Sequence, residues 1–450
     1  MATDHAAGFL DRLNRPIPLD SLAAFRVLFG ITMCVAMLRT LARGWVDTIY
    51  LEPAFHFSYP GFAWVKPLPA SLMYPIVAGT AVAALAVAAG FFYRIAAVIF
   101  LLGFLYLELI DRAAYLNHYY LVTLLALLLC FLPAHRRWSW DATVGRVTET
   151  TVGAVWPILL LRFQLGVVYV FAALAKLNAD WLLHAQPLRI WLPARSELPW
   201  VGPLLAHTIT AHVFSWFGFL YDLTIVIFLM RTRTRPFAYA VVVVFHVLTA
   251  VLFPIGMFPW IMIVATTVFF PPDWPRIYAG TPVPEVPQFP RLNRIQTVAI
   301  AGFCFAQVLI PMRSWFIPGD SFWTGEGFDF GWRVMVAEKT GMADFTVIHR
   351  ETGRRTRIRN EDFLTAGQER AMTQSPGMIR QFALHLDRIF ESPGGDAYAV
   401  IVDAYATMNG RRSQRLIREG VDLTRPLPRD WIVPLAASPT RLSAGLPRVE

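Results

Sequence analysis

Charged residues are scarce in this chain. They make up 16% of its 450 residues, against 56% hydrophobic ones, which excludes an ordinary soluble globular protein. Cysteine is scarcer still: Cys34, Cys130 and Cys304 each sit inside an apolar run, with no CxxC and no ligand spacing. Neither a disulfide joining distant parts nor a thiolate metal site is expected, and the three read as small buried hydrophobes. His118 and His246 lack HxxxH and HExxH spacing, so no metal is expected. The net charge of +9 comes with no basic–aromatic stripe or zinc-knuckle spacing, which argues against a nucleic-acid partner. Lysine is rare as well, with only Lys66, Lys176 and Lys339 beside 37 arginines.

What the chain has in abundance is long apolar runs. About nine recur between residues 21 and 312, at roughly 21–42, 71–92, 94–112, 116–133, 154–177, 210–230, 236–253, 256–270 and 295–312, near the ~20 residues a bilayer crossing requires. The expected fold is an α-helical polytopic membrane protein with about nine transmembrane helices and a C-terminal extramembrane α+β domain. Three parts follow: an N-terminal segment over 1–20, a multi-span bundle over 21–312 and the α+β domain over 313–450. Met1–Asp20 is polar and the first apolar run is too long for a signal-peptide core, so the first span reads as a retained anchor. Residues 1–312 hold 21 Lys+Arg and 14 Asp+Glu, and residues 313–450 hold 19 and 17. With nine spans the arginines concentrate in loops on the N-terminal side, which predicts a cytoplasmic N-terminus and an extracytoplasmic C-terminal domain. The proline-rich stretch Pro271–Pro290, with seven prolines, then falls on the cytoplasmic side.

In the C-terminal part, Phe345–Ile358 alternates around Glu351-Thr352-Gly353 and Ala397–Ile417 flanks Asn409-Gly410. Both are hairpin signals. Between them Pro376–Phe390 carries apolar residues at helical spacing.

Lys176 is the most informative residue, because it closes the apolar run from Ala154 to Leu177. An ammonium in hydrocarbon costs about 2.5–3.5 kcal/mol, whereas a buried amine can shed its proton and act as a base. Arg162, Tyr169 and Lys176 are spaced by seven and share a helix face, a polar stripe suited to lining a cavity. Trp181 reads as a membrane-interface marker a turn beyond. Arg26, Glu108, Arg162 and Asp222 read first as two cations and two anions able to pair and lock the bundle, and Arg39 as a snorkelling residue near a span end. His118 and His246, taken singly, read as core histidines.

Four segments together resemble the vitamin K-dependent gamma-glutamyl carboxylase family, with its HTTM-type multi-span domain. They are YLNHYYLVTLLAL (Tyr115–Leu127), FAALAKLNADWL (Phe171–Leu182), FHVLTAVLFPIGMFPWIM (Phe245–Met262) followed by PPDWPR, and MRSWFIPGDSFWTGEGFDFGWRVMV (Met312–Val336). The resemblance runs in order from about Leu19 to Leu435. It implies O2-dependent oxidation of a reduced naphthoquinone, vitamin K or another menaquinol-type isoprenoid quinol, to its epoxide. It also implies capture of CO2 by a glutamate carbanion of a protein substrate. On this resemblance Lys176 is the base that deprotonates the quinol, Asn117 and His118 form the Asn-His pair implicated in carboxylation, and His246 belongs to the cavity. Arg162, Tyr169 and Trp181 are further cavity candidates, and Arg162 and His118 candidates to stabilise negative charge. Animal members carry two adjacent lysines where this chain has Ala175-Lys176, and their outer part is longer. Those departures bear on protein carboxylation more than on quinol oxidation. The compact C-terminal part favours a bacterial inner membrane. The competing reading is a polytopic transporter or lipid-binding protein on the same scaffold, although no inverted half-chain repeat is visible.

Overall fold

A helix crosses hydrocarbon only if it is apolar and about 30 Å long, and seven helices of this chain meet both conditions in a computed structural model that describes residues 8–276, 289, 291–390 and 397–436. The bundle comprises α1 (Asp20–Ala42), α2 (Ala70–Ala89), α3 (Tyr93–Ile110), α4 (Asn117–Phe131), α5 (Trp156–Lys176), α6 (Thr208–Met230), α7 (Arg235–Leu252), α8 (Phe258–Ala265) and α9 (Arg294–Met312). Of the nine expected spans, seven are helices of full crossing length among the described residues, and two are apolar helices that fall short of it. The exceptions are α4, with 15 residues, and α8, which a 3₁₀ turn extends to Phe269. At 1.5 Å per residue α4 is only about 22 Å long. The proline-rich stretch falls largely outside the described residues.

Apolar side chains of α1 (Leu22, Phe25, Phe29, Met33) pack with Met73, Val77 and Ala84 of α2 and with Phe100 and Phe104 of α3. The two backbones of α1 and α2 meet at Gly30. A Cβ there would lie 2.6 Å from both the Ala84 carbonyl and the Ala88 amide, so only glycine permits this approach.

The expected mutual pairing of Arg26, Glu108, Arg162 and Asp222 does not form. Arg26 is fully buried and donates to the carbonyls of Ala134 (2.9 Å), Arg137 (3.2 Å) and Trp138 (2.5 Å). Arg162 donates to the carbonyls of Val268 (2.8 Å) and Phe270 (3.0 Å) at the end of the α8 extension. Glu108 accepts from the Thr123 hydroxyl at 2.7 Å. Loop and helix-end carbonyls inside a bilayer have no water to turn to, and one guanidinium with five donors satisfies several at once. Asp222 pairs elsewhere, with Lys176.

Beyond α9, β1 (Lys339–His349), β2 (Arg355–Arg357), β3 (Tyr398–Met408) and β4 (Gln414–Arg415) form an antiparallel sheet in the order β2-β1-β3-β4. Both expected hairpins are present. The β1–β3 register runs from Lys339 opposite Met408 to His349 opposite Tyr398, and the β3–β4 turn places Asn409 and Gly410 at φ 51° and 76°, the left-handed pair that Asn-Gly favours. Helices α10 (Ala366–Thr373) and α11 (Pro376–Phe390) pack against the sheet, with Phe382 edge-on to Phe345 at 5.0 Å.

Polar contacts seat this region on one end of the bundle. Gln368 donates to Asp111 at 2.6 Å, Arg112 pairs with Asp329 at 2.7 Å, and Arg411 donates to both oxygens of Asp180 at 2.6 and 2.9 Å. Burial pushes the Asp180 carboxyl up, but its hydrogen bonds from Arg411 and Asn409 outweigh this and hold it below its ordinary value. Lys339 is buried where β1 begins and donates to the carbonyls of Trp323 and Gln374. Burial lowers its pKa from 10.5 to about 7.

The folded state therefore releases this proton near neutrality while the unfolded chain keeps it. Since the unfolded state binds more protons across that window, Lys339 makes stability rise with pH above about 7. The expected outcome is a Tm that rises between about pH 7 and about pH 9 in the wild type and by less in Lys339→Met, measured in detergent. A constant difference between the two proteins over that range contradicts this assignment.

Candidate active site

Two cavities open at the end of the bundle that carries the sheet. The first, of about 500 Å³, is walled by α5, α6, α7 and α8. Val168, Tyr169, Ala172 and Lys176 line it from α5, the i, i+1, i+4 and i+8 positions of one helix face. Lys176 is the last residue of that helix and is 6% exposed. Its Nζ donates to Asp222 Oδ2 at 2.7 Å and to the Ala172 carbonyl at 3.3 Å, and lies 5.3 Å from the centre of the Trp181 ring. Asp222, from α6, is likewise 6% exposed. A pair this far from water persists only with close geometry and extra hydrogen bonds.

The other polar atoms on this wall are few. Tyr169 Oη stands 3.4 Å from both Tyr221 Oη and His246 Nε2. His246 is 1% exposed, and among the described residues its Nδ1 has no hydrogen-bond partner. Most of the remaining lining is apolar. Val213 and Phe217 of α6 and Val241 and Val244 of α7 line the cavity yet are exposed on the outside of the bundle, so the cavity reaches the lipid-facing surface between these helices.

The second cavity, also about 500 Å³, lies beside the first and is lined by Arg39, Thr40, Trp45, Asn117, His118 and Gly256 among others. The shortness of α4 and α8 makes room for it. Both helices begin at its wall, so Leu116–Tyr119 and Pro254–Phe258 line it where a longer helix would fill it. Ile255, Phe258, Val334 and Met335 line both cavities and separate them. The Phe258 ring lies 5.9 Å from the His118 ring and 5.6 Å from the His246 ring, one on each side of the partition.

The segment that supplies Val334 and Met335 is held under strain. Phe330, Trp332 and Met335 adopt φ of 59°, 56° and 53°, left-handed values that cost non-glycine residues energy and persist only where surroundings enforce them. Tyr115 supplies part of that enforcement by accepting from the Phe330 amide at 2.7 Å, and Asn117 by donating to the Arg333 carbonyl at 3.1 Å.

Of the residues expected at the site, Lys176, Tyr169, Trp181 and His246 share the first cavity, and Asn117 and His118 share the second. Arg162 lines neither; it sits two turns below Tyr169, engaged with helix-end carbonyls. Trp181 is no interface marker. It is 4% exposed and donates to the Ser215 carbonyl at 2.8 Å. Arg39 does not snorkel free either: it lies 4.9 Å over Trp45 on the second cavity's wall. Asp222 was visible as an acid in an apolar run, but its pairing with Lys176 spans 46 residues of sequence. No sequence signal pointed to Phe258 as a partition.

A helical multi-pass bundle with polar groups gathered under a C-terminal sheet region defines a class of membrane protein. Residues 14–274 match the HTTM domain, and residues 292–438 match the lumenal domain of vitamin K-dependent gamma-carboxylase. The chain belongs to this HTTM, vitamin K-dependent gamma-carboxylase family, and its function is gamma-carboxylase-like. No solved structure matches it.

Proposed function

We propose that this protein oxidises a reduced naphthoquinone of the vitamin K or menaquinol type with O2 to its epoxide, and uses the base so generated to carboxylate glutamate of a protein substrate with CO2. The observation that carries this reading is a buried lysine amine, 2.7 Å from a carboxylate, on the wall of an apolar cavity that reaches the bilayer. Transfer of a proton from Lys176 Nζ to Asp222 Oδ2 along that bond frees the amine lone pair, which then accepts the proton of a phenolic hydroxyl. Asp222 acts as the proton store. His246 Nδ1, without a hydrogen-bond partner among the described residues, and the loosely held Tyr169 hydroxyl suit the remaining polar atoms of a quinol, and a volume of about 500 Å³ lies within the range of small-molecule pockets. Apolar walls keep water from quenching a strong base. His118 and Asn117 belong to carboxylation in the second cavity, across Phe258.

The isoprenoid tail leaves through the gap between α6 and α7. Filling that gap by Val244→Trp is expected to raise the quinol KM by about tenfold, a loss of roughly 1.4 kcal/mol in binding, with kcat little changed. An unchanged KM contradicts this route. With all nine helices crossing, the excess of arginine in loops on the N-terminal side supports a cytoplasmic N-terminus and an extracytoplasmic residue 313–450 region, and the compactness of that region favours a bacterial inner membrane.

The direct test incubates the purified protein in detergent with reduced vitamin K and O2, with and without bicarbonate, and measures epoxide. Epoxide in either condition supports the reading, and its absence from both removes it.

A further inference from the structure

The two cavities differ in charge. The first holds a neutral-sum pair, Lys176 with Asp222, in apolar walls. Among the described residues no carboxylate lines the second, and Arg39 is the one charged group on its wall. Among the described residues Arg39 makes no ion pair; its guanidinium lies over the Trp45 ring on the same wall.

Three further features point at an anion. The N-termini of α4 and α8 both abut this cavity, and each presents the positive end of its helix dipole. The His118 imidazole is 6% exposed, lines the cavity, and among the described residues has no hydrogen-bond partner on either ring nitrogen. Gly256, whose φ is 63°, leaves the space beside His118 Nε2 unfilled: a Cβ there would be 4.0 Å away. An aromatic quinol has no use for such a field. A carboxylate does.

We infer that the second cavity is a carboxylate-binding site in which the Arg39 guanidinium anchors the acidic side chain of a polypeptide beside His118. This rests on the proposed coupling to glutamate carboxylation and names the residue that would choose the acceptor. A guanidinium pairs with a carboxylate through parallel N–H···O bonds that a neutral amide cannot reproduce. Phe258 then stands between the anchored acid and the quinol cavity.

The test measures binding of two pentapeptides, one with a single central glutamate and one with glutamine there, to the full-length protein in detergent by calorimetry. Wild type is expected to prefer the glutamyl peptide by about tenfold or more, and Arg39→Gln to lose that preference. Arg39→Lys, which keeps the charge but not the fork, is expected to retain part of it. Equal binding of both peptides by wild type, or an undiminished preference in a folded Arg39→Gln, overturns the inference. A long-chain fatty acid that displaces the glutamyl peptide at equal concentration reassigns the carboxylate to a lipid and overturns the polypeptide half. Epoxide formation is assayed on the same preparations. Peptide discrimination without epoxide leaves the Arg39 site standing and removes the quinol reading; epoxide without discrimination does the reverse.

Discussion

Lys176→Met is expected to lower epoxide formation by about 10²–10⁴-fold, the range removed with a positioned general base. The same change leaves Asp222 as an unpaired buried carboxylate. Breaking one side of such a pair costs about 3–5 kcal/mol, so a falling Tm would accompany the loss of activity and blur its cause. The pair offers its own control. Lys176→Met/Asp222→Leu removes both charges and replaces them with apolar groups, a change often neutral for stability. This double variant is expected to recover the Tm of the wild type while making no more epoxide than Lys176→Met. Epoxide formation at the wild-type rate in either variant would remove Lys176 as the base. Single-turnover measurement of quinol loss under O2 separates a slow chemical step from slow quinol release.

His118→Ala is expected to divide the two activities. His118 belongs to the second cavity and does not line the first, so carboxylation should fall by about 10²–10³-fold while epoxide formation falls by less than about tenfold. The separation has a structural basis in Phe258, whose ring lies against His118 on one face of the partition and His246 on the other. The informative quantity is the ratio of carboxylated product to epoxide. A ratio unchanged from wild type, with both activities equally reduced, would place His118 in a step common to both reactions and would end the division between cavities.

Much of the architecture was legible before any coordinates. Apolar runs of this length announce membrane helices because a helix satisfies its whole backbone within one segment of chain in hydrocarbon. Asn409-Gly410 announces a hairpin because few other pairs accept positive φ twice, and the periodicity of Pro376–Phe390 marks a helix whose ends match the observed ones. Lys176, His118, Asn117, His246, Tyr169 and Trp181 were all singled out as site candidates and all line one cavity or the other. The reading of Arg162 failed because heptad spacing gives a shared face but not what that face meets: carbonyls at the end of the α8 extension stand there in place of a cavity.

By itself the sequence determined what is local: which segments are apolar enough to cross the membrane, where the chain turns, and that a lone lysine sits in a place hostile to charge. Those properties depend on spacing along one strand of chain and on the solvent around it. Only the tertiary structure decided that Lys176 meets Asp222, that six candidates divide between two cavities, and that Phe258 stands between them. Each of those facts joins side chains from helices far apart in sequence, and helix packing, not periodicity, sets such distances. The room for the second cavity comes from two helices that stop short. Their lengths can be read from the chain, but the space they leave exists only once their neighbours stand around them.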